Sequence, residues 1–173
     1  FVQESGPENA ELKTKLIADI DSILSPDIVI SSSSTALPTS EFQGGAKHPQ
    51  RVVLGHPFNP PHLMPLVEVG GGKKTEIWAV DRAIDFYQKI GKSPVRLRAE
   101  IPGHLANRLQ AAVYREAVYL VSEGYASVSD IDMAMAQGPG LRWAFMGPHM
   151  TYHLGGGSGG ISNYFDILGS SQE

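Results

Sequence analysis

Val52-Val53-Leu54-Gly55-His56-Pro57-Phe58-Asn59-Pro60-Pro61-His62-Leu63-Met64-Pro65-Leu66-Val67-Glu68-Val69-Gly70-Gly71-Gly72 is the stretch on which the reading of the fold turns. It holds two short apolar runs, 52–54 and 66–69, each ended by glycine or proline. Such runs are the pattern of buried strands. Upstream, Ile28-Val29-Ile30 is a third run, β-branched throughout. It follows a segment opened by Pro7-Glu8-Asn9, in which Leu12, Leu16, Ile17, Ile20 and Leu24 recur at helical spacing until Pro26-Asp27. Phe1 and Val2 read as the tail of a strand that begins further upstream, as in a fragment. Downstream, Thr75 is placed to cap a helix bearing Ile77, Val80, Ile84 and Tyr87, with Gly91 as its stop. Pro94-Val95-Arg96-Leu97 is another strand candidate. Helix and strand alternate up to about residue 100, which predicts an open parallel α/β layer.

After Pro102-Gly103 the pattern changes. Leu105, Leu109, Ala112, Val113, Ala117 and Leu120 line one side of a long helix predicted over 104–123, with Gly124 as its stop. Ser127 or Ser129 starts another, running through Met133 and Met135 to Gly138. The aromatic, glycine-rich remainder to Leu168 carries weak helical pieces, and 169–173 reads as a polar tail. The organisation is α/β followed by all-α, divided into 1–101 and 102–173.

Of the 173 residues 42% are hydrophobic and 18% charged, which suits a globular chain. No apolar window approaches the ~18 residues of a membrane span. A net charge of −4 argues against nucleic acid, since tracking phosphates calls for a basic surface. The absence of cysteine removes disulfides, thiolate metal sites and thiol nucleophiles. A reducing compartment fits, and a cytoplasmic location is expected.

In an open parallel sheet, reactive groups gather at the carboxyl ends of the strands. There the sequence places Ser31 to Thr35, His56 to Asn59, and Glu68. A histidine serves as a general base near neutral pH, and a carboxylate on its other nitrogen fixes the tautomer. A serine hydroxyl and an asparagine amide can hold an oxygen that changes between hydroxyl and carbonyl. The plainer alternative makes the serine run a turn, His56-Pro57 a strand end and Glu68 a solvated acid.

The stretch 55–69 resembles the signature of the L-3-hydroxyacyl-CoA dehydrogenase family. Pro102-Gly103-His104-Leu105-Ala106-Asn107-Arg108 is similar to that family's second signature, and Ser31 to Leu37 to its serine-rich loop. Asp130-Ile131-Asp132 and Met146-Gly147-Pro148 match later positions. The resemblance implies the second half of a Rossmann-type dinucleotide-binding domain followed by a helical domain that forms a homodimer. It implies NAD as cofactor and an acyl-CoA or small-molecule substrate whose 3-hydroxy group becomes 3-keto. His56 would then be the general base and Glu68 its orienting partner. Ser34 would bind the reacting oxygen beside the nicotinamide, and Asn107 would complete the site from the helical domain. Asn59, Glu8 and Lys13 would touch the dinucleotide. Pro57 and Leu141-Arg142-Trp143-Ala144-Phe145-Met146-Gly147-Pro148 look like the branch of carnitine dehydrogenases and lambda-crystallin (gulonate dehydrogenase). That branch includes proteins used for bulk, so a structural role is the alternative from another class.

No Gly-x-Gly-x-x-Gly turn here joins a strand to a helix, as the family's pyrophosphate site requires. Gly70-Gly71-Gly72-Lys73-Lys74-Thr75 lacks the phosphate-loop spacing, and Gly155 to Gly160 reads as a flexible loop. His149 and His153 lie four apart without a third ligand, so no metal is expected. The methionines read as core filler, and Arg96 and Arg98 as solvent-facing.

Overall fold

The computed structural model describes residues 1–169, so Ser170 to Glu173 of the expected polar tail lie outside it. Contacts divide the chain into two compact units, Phe1–Ala111 and Ala112–Glu173.

The first unit is built on a five-stranded sheet in sequential order, β1 (Val2–Glu4), β2 (Ile30–Ser32), β3 (Val52–Pro57), β4 (Leu66–Gly71) and β5 (Ser93–Arg96). β1, β2 and β3 are parallel. β4 turns back antiparallel to β3, and β5 follows β4 in parallel. The wholly parallel layer expected from the helix–strand alternation is therefore corrected at β4. The 58–65 connection is too short for a helical crossover, and a strand reached without one returns antiparallel.

Helix α1 (Ala10–Ile23) joins β1 to β2, and α2 (Ile77–Lys89) joins β4 to β5. Successive strand residues point to opposite faces, and two apolar layers result. Val29, Val53, Val67 and Val69 pack with Ala79, Val80, Ala83 and Tyr87 of α2. Ile30 and Val52 pack with Ile17 of α1 and with Phe42 and Ala46. Ile77, expected on the buried side of α2, is 72% exposed. Thr75 is also reassigned. Glu76 occupies the N-cap position without a side-chain bond. The Thr75 hydroxyl instead donates to the Val52 carbonyl at 2.6 Å and accepts the Gly72 amide at 2.8 Å.

Arg51, fully buried, closes the carboxyl end of α1. Its guanidinium meets Asp21 at 2.6 Å and donates to the carbonyls of Asp21 and Leu24 at 2.9 and 3.3 Å. α1 has no basic residue in its own last turn, so the cation that favours a helix carboxyl end comes from elsewhere in the chain. Just before His56, Gly55 admits no side chain. A Cβ there would lie 2.0 Å from the Tyr87 hydroxyl and 2.1 Å from that of Ser31.

Helix α3 (Ala106–Ser122) begins in the first unit and runs into the second. The second unit continues with α4 (Val128–Gln137), α5 (Pro139–Trp143), α6 (Pro148–Gly155) and α7 (Gly160–Leu168). Ser127, rather than Ser129, starts α4 through a reciprocal capping box with Asp130. The segment between α6 and α7 is a 3₁₀ turn, Gly157–Gly159, and not a loose loop. A Cβ on Gly156 would strike the Gly160 carbonyl at 1.7 Å. Tyr152 and Tyr164 meet edge to face at 4.8 Å and join α6 to α7. No residue of α3 to α6 is buried, so the apolar stripe expected along α3 lies largely open.

Candidate active site

The carboxyl ends of β1, β2 and β3 and the start of β4 share one edge of the sheet. His56 on β3 stands directly opposite Glu68 on β4. Opposed residues of an antiparallel pair project from the same face, and the His56 Nδ1 lies 2.9 Å from the Glu68 Oε2. Both side chains are buried, at 5% and 1% exposure. Glu68 is not the solvated acid of the plainer reading.

The other Glu68 oxygen accepts two backbone amides, Leu105 at 2.7 Å and Ala106 at 3.0 Å. These are orphan donors at the start of α3, so Glu68 serves as that helix's cap from another element. Burial pushes the carboxyl pKa upward. The bonds from His56, Ala106 and Leu105 and the charge of His56 outweigh it, and the net shift is down. A carboxylate only accepts, so the neutral imidazole carries its proton on Nδ1 and keeps a lone pair on Nε2. That is the state of a general base.

The serine run proves to be a set of latches. The Ser31 hydroxyl lies 2.8 Å from that of Tyr87, whose pKa burial pushes up to about 12. Ser32 donates to Glu4 at 2.5 Å. Ser34, fully buried, donates to Glu8 at 2.8 Å and accepts the Leu37 amide at 3.0 Å. The hydroxyl expected to meet substrate is thus engaged within the protein. Thr35, next along, is exposed, and its carbonyl accepts the Asn107 side-chain amide at 3.1 Å. Asn107 lies in the same compact unit as the His56–Glu68 pair and ties α3 to this loop.

Among the expected dinucleotide contacts, Glu8 accepts the amides of Ala36 and Leu37 at 2.9 and 3.1 Å on the oxygen that also holds Ser34. Its second oxygen is 4.0 Å from the Lys13 ammonium. Burial raises the Glu8 pKa, and the bonds from Ala36, Ser34 and Leu37 reverse that to a net lowering. Lys13 is 1% exposed and answers Glu4 at 2.9 Å and the Gly6 carbonyl at 3.2 Å. Asn59 lies exposed just past the end of β3.

One residue escaped sequence reasoning. His104, 2% exposed, has a left-handed backbone with φ +52° and follows Gly103 at φ +75°. Its ring lies 5.3 Å from that of His56, and its Nε2 is 3.0 Å from the Ser34 carbonyl. A histidine directly after Pro-Gly at a helix start was the available signal. Among the described residues no cluster of three or more His, Asp or Glu can hold a metal, and no helix is long and apolar enough to cross a membrane.

A mixed α/β sheet that carries a buried imidazole–carboxylate pair is followed by a helical unit. Residues 1–101 match the model for the 3-hydroxyacyl-CoA dehydrogenase NAD binding domain, and residues 103–172 match that for the 3-hydroxyacyl-CoA dehydrogenase C-terminal domain. The chain belongs to the 3-hydroxyacyl-CoA dehydrogenase family. It is 53% identical over 171 residues to the L-carnitine dehydrogenase of Nocardiopsis dassonvillei, covering 99% of this chain and 52% of that protein. It is 50% identical over 172 residues to a 3-hydroxyacyl-CoA dehydrogenase of Gibberella moniliformis, covering 98% and 53%. The solved structure of an NAD⁺-dependent dismutase, 5-formyl-3-hydroxy-2-methylpyridine 4-carboxylic acid 5-dehydrogenase, superposes with TM-score 0.89 at 32% identity, over 97% of this chain and 53% of that one. The chain spans about half the length of the curated relatives it matches.

Proposed function

We propose that the whole protein oxidises a 3-hydroxy group to a 3-keto group with NAD as cofactor, and that its substrate is L-carnitine. The chemistry rests on one observation, the buried His56–Glu68 pair with Nε2 left to accept a proton. The substrate rests on the relatives named L-carnitine dehydrogenase at 53% and 50% identity. A 3-hydroxyacyl-CoA is the second reading, favoured by the Gibberella relative.

NAD, when bound, supplies the acceptor for the hydride. As the C–H electron pair leaves carbon 3, Nε2 of His56 takes the hydroxyl proton and the C–O bond becomes a carbonyl. Glu68, ionised and held by two amides, keeps the imidazolium in place and offsets its charge. Asn107 fixes the 34–35 loop through the Thr35 carbonyl. The 34–35 loop is the part that faces the substrate oxygen, through the Ser34 hydroxyl held by Glu8 or through Thr35 next to it. Asn59 and the second oxygen of Glu8, which faces Lys13 at 4.0 Å, fit a dinucleotide lying along the strand ends. Lys13 acts through Glu4, bracing the turn after β1.

Residues 102–173 are in this reading the dimer-forming module. Its support is apolar surface the chain leaves uncovered, including Leu109, Phe145, Met150 and Ile167. Sedimentation equilibrium of the whole protein is expected to give twice the monomer mass, and a single monomer mass refutes the module. The cytoplasm is the compartment assigned with it, suited by the lack of cysteine.

The decisive assay offers NAD with L-carnitine, L-gulonate or 3-hydroxybutyryl-CoA to the whole protein and its His56→Ala variant. Loss of proton transfer costs on the order of 10²–10⁴ in rate. Equal turnover by the variant rejects His56 as the base, and the substrate with the highest kcat/KM decides between the readings.

A further inference from the structure

Four features of His104 stand together. Its backbone sits in the left-handed region, which for a residue bearing a Cβ persists only where the surroundings over-determine it. Its ring is buried, with its Nε2 3.0 Å from the Ser34 carbonyl. That ring lies 5.3 Å from His56, tilted by 48°. The next two amides along the chain, Leu105 and Ala106, are the ones that hold Glu68. Glycine would adopt this backbone without strain, so the imidazole is the reason for a strained residue here.

We propose that His104 is a positioning residue for the reaction, a neutral imidazole that donates Nε2–H to the Ser34 carbonyl and holds the 34–35 loop in register with the His56 ring. The inference rests on the dehydrogenase reading above. It accounts for how a base on β3 and a loop that follows β2 keep a fixed separation, with the His104 ring set between them. The groups whose charges act on His104 are His56 on β3, Glu68 on β4 and Glu8 before α1. Burial pushes its imidazole below the ordinary histidine range, and the charge of His56 acts in the same direction. The Ser34 carbonyl, Glu68 and Glu8 oppose it, and the net shift is down. A neutral ring places no cation beside Glu68 to compete with His56 for it.

The test has two arms. In ¹⁵N-histidine spectra of the wild-type chain at pH 7, His104 is expected as the neutral Nε2–H tautomer, with ring-to-ring contacts to His56. A charged His104 or an Nδ1–H tautomer overturns the proposal whatever the activity. In the whole protein, His104→Phe keeps a ring of similar size and removes the donor, whereas His104→Gln keeps a donor and removes the ring. Loss of the bond is expected to lower kcat of His104→Phe roughly ten- to a hundred-fold, with KM changed less than about threefold. The primary deuterium isotope effect at carbon 3 is expected to rise, and His104→Gln to recover part of kcat. Unchanged kcat and isotope effect in a folded His104→Phe variant, or lost stability alone, overturns the proposal. Absence of any 3-hydroxy dehydrogenase activity in the wild type overturns the functional reading first, and the positioning role falls with it.

Discussion

Replacing Glu68 by glutamine changes almost no volume and separates two jobs that the carboxylate performs at once. The carboxamide oxygen can keep the Leu105 and Ala106 amides, which now lie at 2.7 and 3.0 Å. Its NH₂ then faces the His56 Nδ1 and can only donate. The imidazole must move its proton to Nε2, so the lone pair points at the new carboxamide rather than at substrate. A base held in the wrong tautomer costs about 10⁴ in kcat in the comparable serine-protease triad. The stability cost is modest, about 1 kcal/mol, because each buried group retains a partner and only charge assistance is lost. Glu68→Ala differs in kind. It strips the cap from α3 and leaves the imidazole N–H unpaired, at roughly 2–5 kcal/mol in all. Urea unfolding, initial rates and ¹⁵N shifts of His56 on both variants measure the three quantities. A Glu68→Gln variant turning over within tenfold of wild type, or one whose His56 still protonates at Nδ1, refutes the reasoning.

Acid should weaken the first unit in two stages. The pKa of His104 is lowered on folding from its ordinary 6.5, so the unfolded chain binds the proton first, and stability falls as pH drops below 6.5 towards the folded value. That of Glu68 is lowered from 4.5, so its contribution is present above 4.5 and lost as pH falls through the folded value. Urea midpoints from pH 7.5 to 3.5 are expected to show both declines, with the first absent in His104→Phe and the second reduced in Glu68→Gln. A first decline that persists in His104→Phe assigns it elsewhere and refutes this account.

Much of the layout was legible because local rules and burial agree. The helical spacing of Leu16, Ile17 and Ile20 and the apolar runs at 28–30, 52–54 and 66–69 mark α1 and β2 to β4 within a few residues. Less legible was anything set by another element. Thr75 has the chemistry of a cap, yet its hydroxyl finds the Val52 carbonyl across the structure. Ser34 has the chemistry of a substrate donor, yet Glu8, remote in sequence, takes it up. The stripe on α3 was readable, but whether a stripe is covered depends on what lies against it, and Leu109 is 61% exposed. His104 carries no periodic mark, only its place directly after Pro102-Gly103. Its role comes from a φ of +52° and from neighbours 48 and 70 positions away.

The twelve-residue spacing of His56 and Glu68 has a geometric cause. Across β3 and β4 the paired positions are 53 with 71, 54 with 70, 55 with 69, 56 with 68 and 57 with 67. One strand climbs as the other descends, and the 58–65 connection sets where they start. Because β4 runs antiparallel, it is Glu68 near the start of that strand that meets His56 near the carboxyl end of β3. A slip of one residue would place Val67 or Val69 opposite His56 and turn Glu68 to the other face. Val67 and Val69 belong to the apolar layer against α2, so such a slip also strips that core. Hydrophobic burial on one face therefore enforces the His56–Glu68 pairing on the other, and that pair needs no register signal of its own.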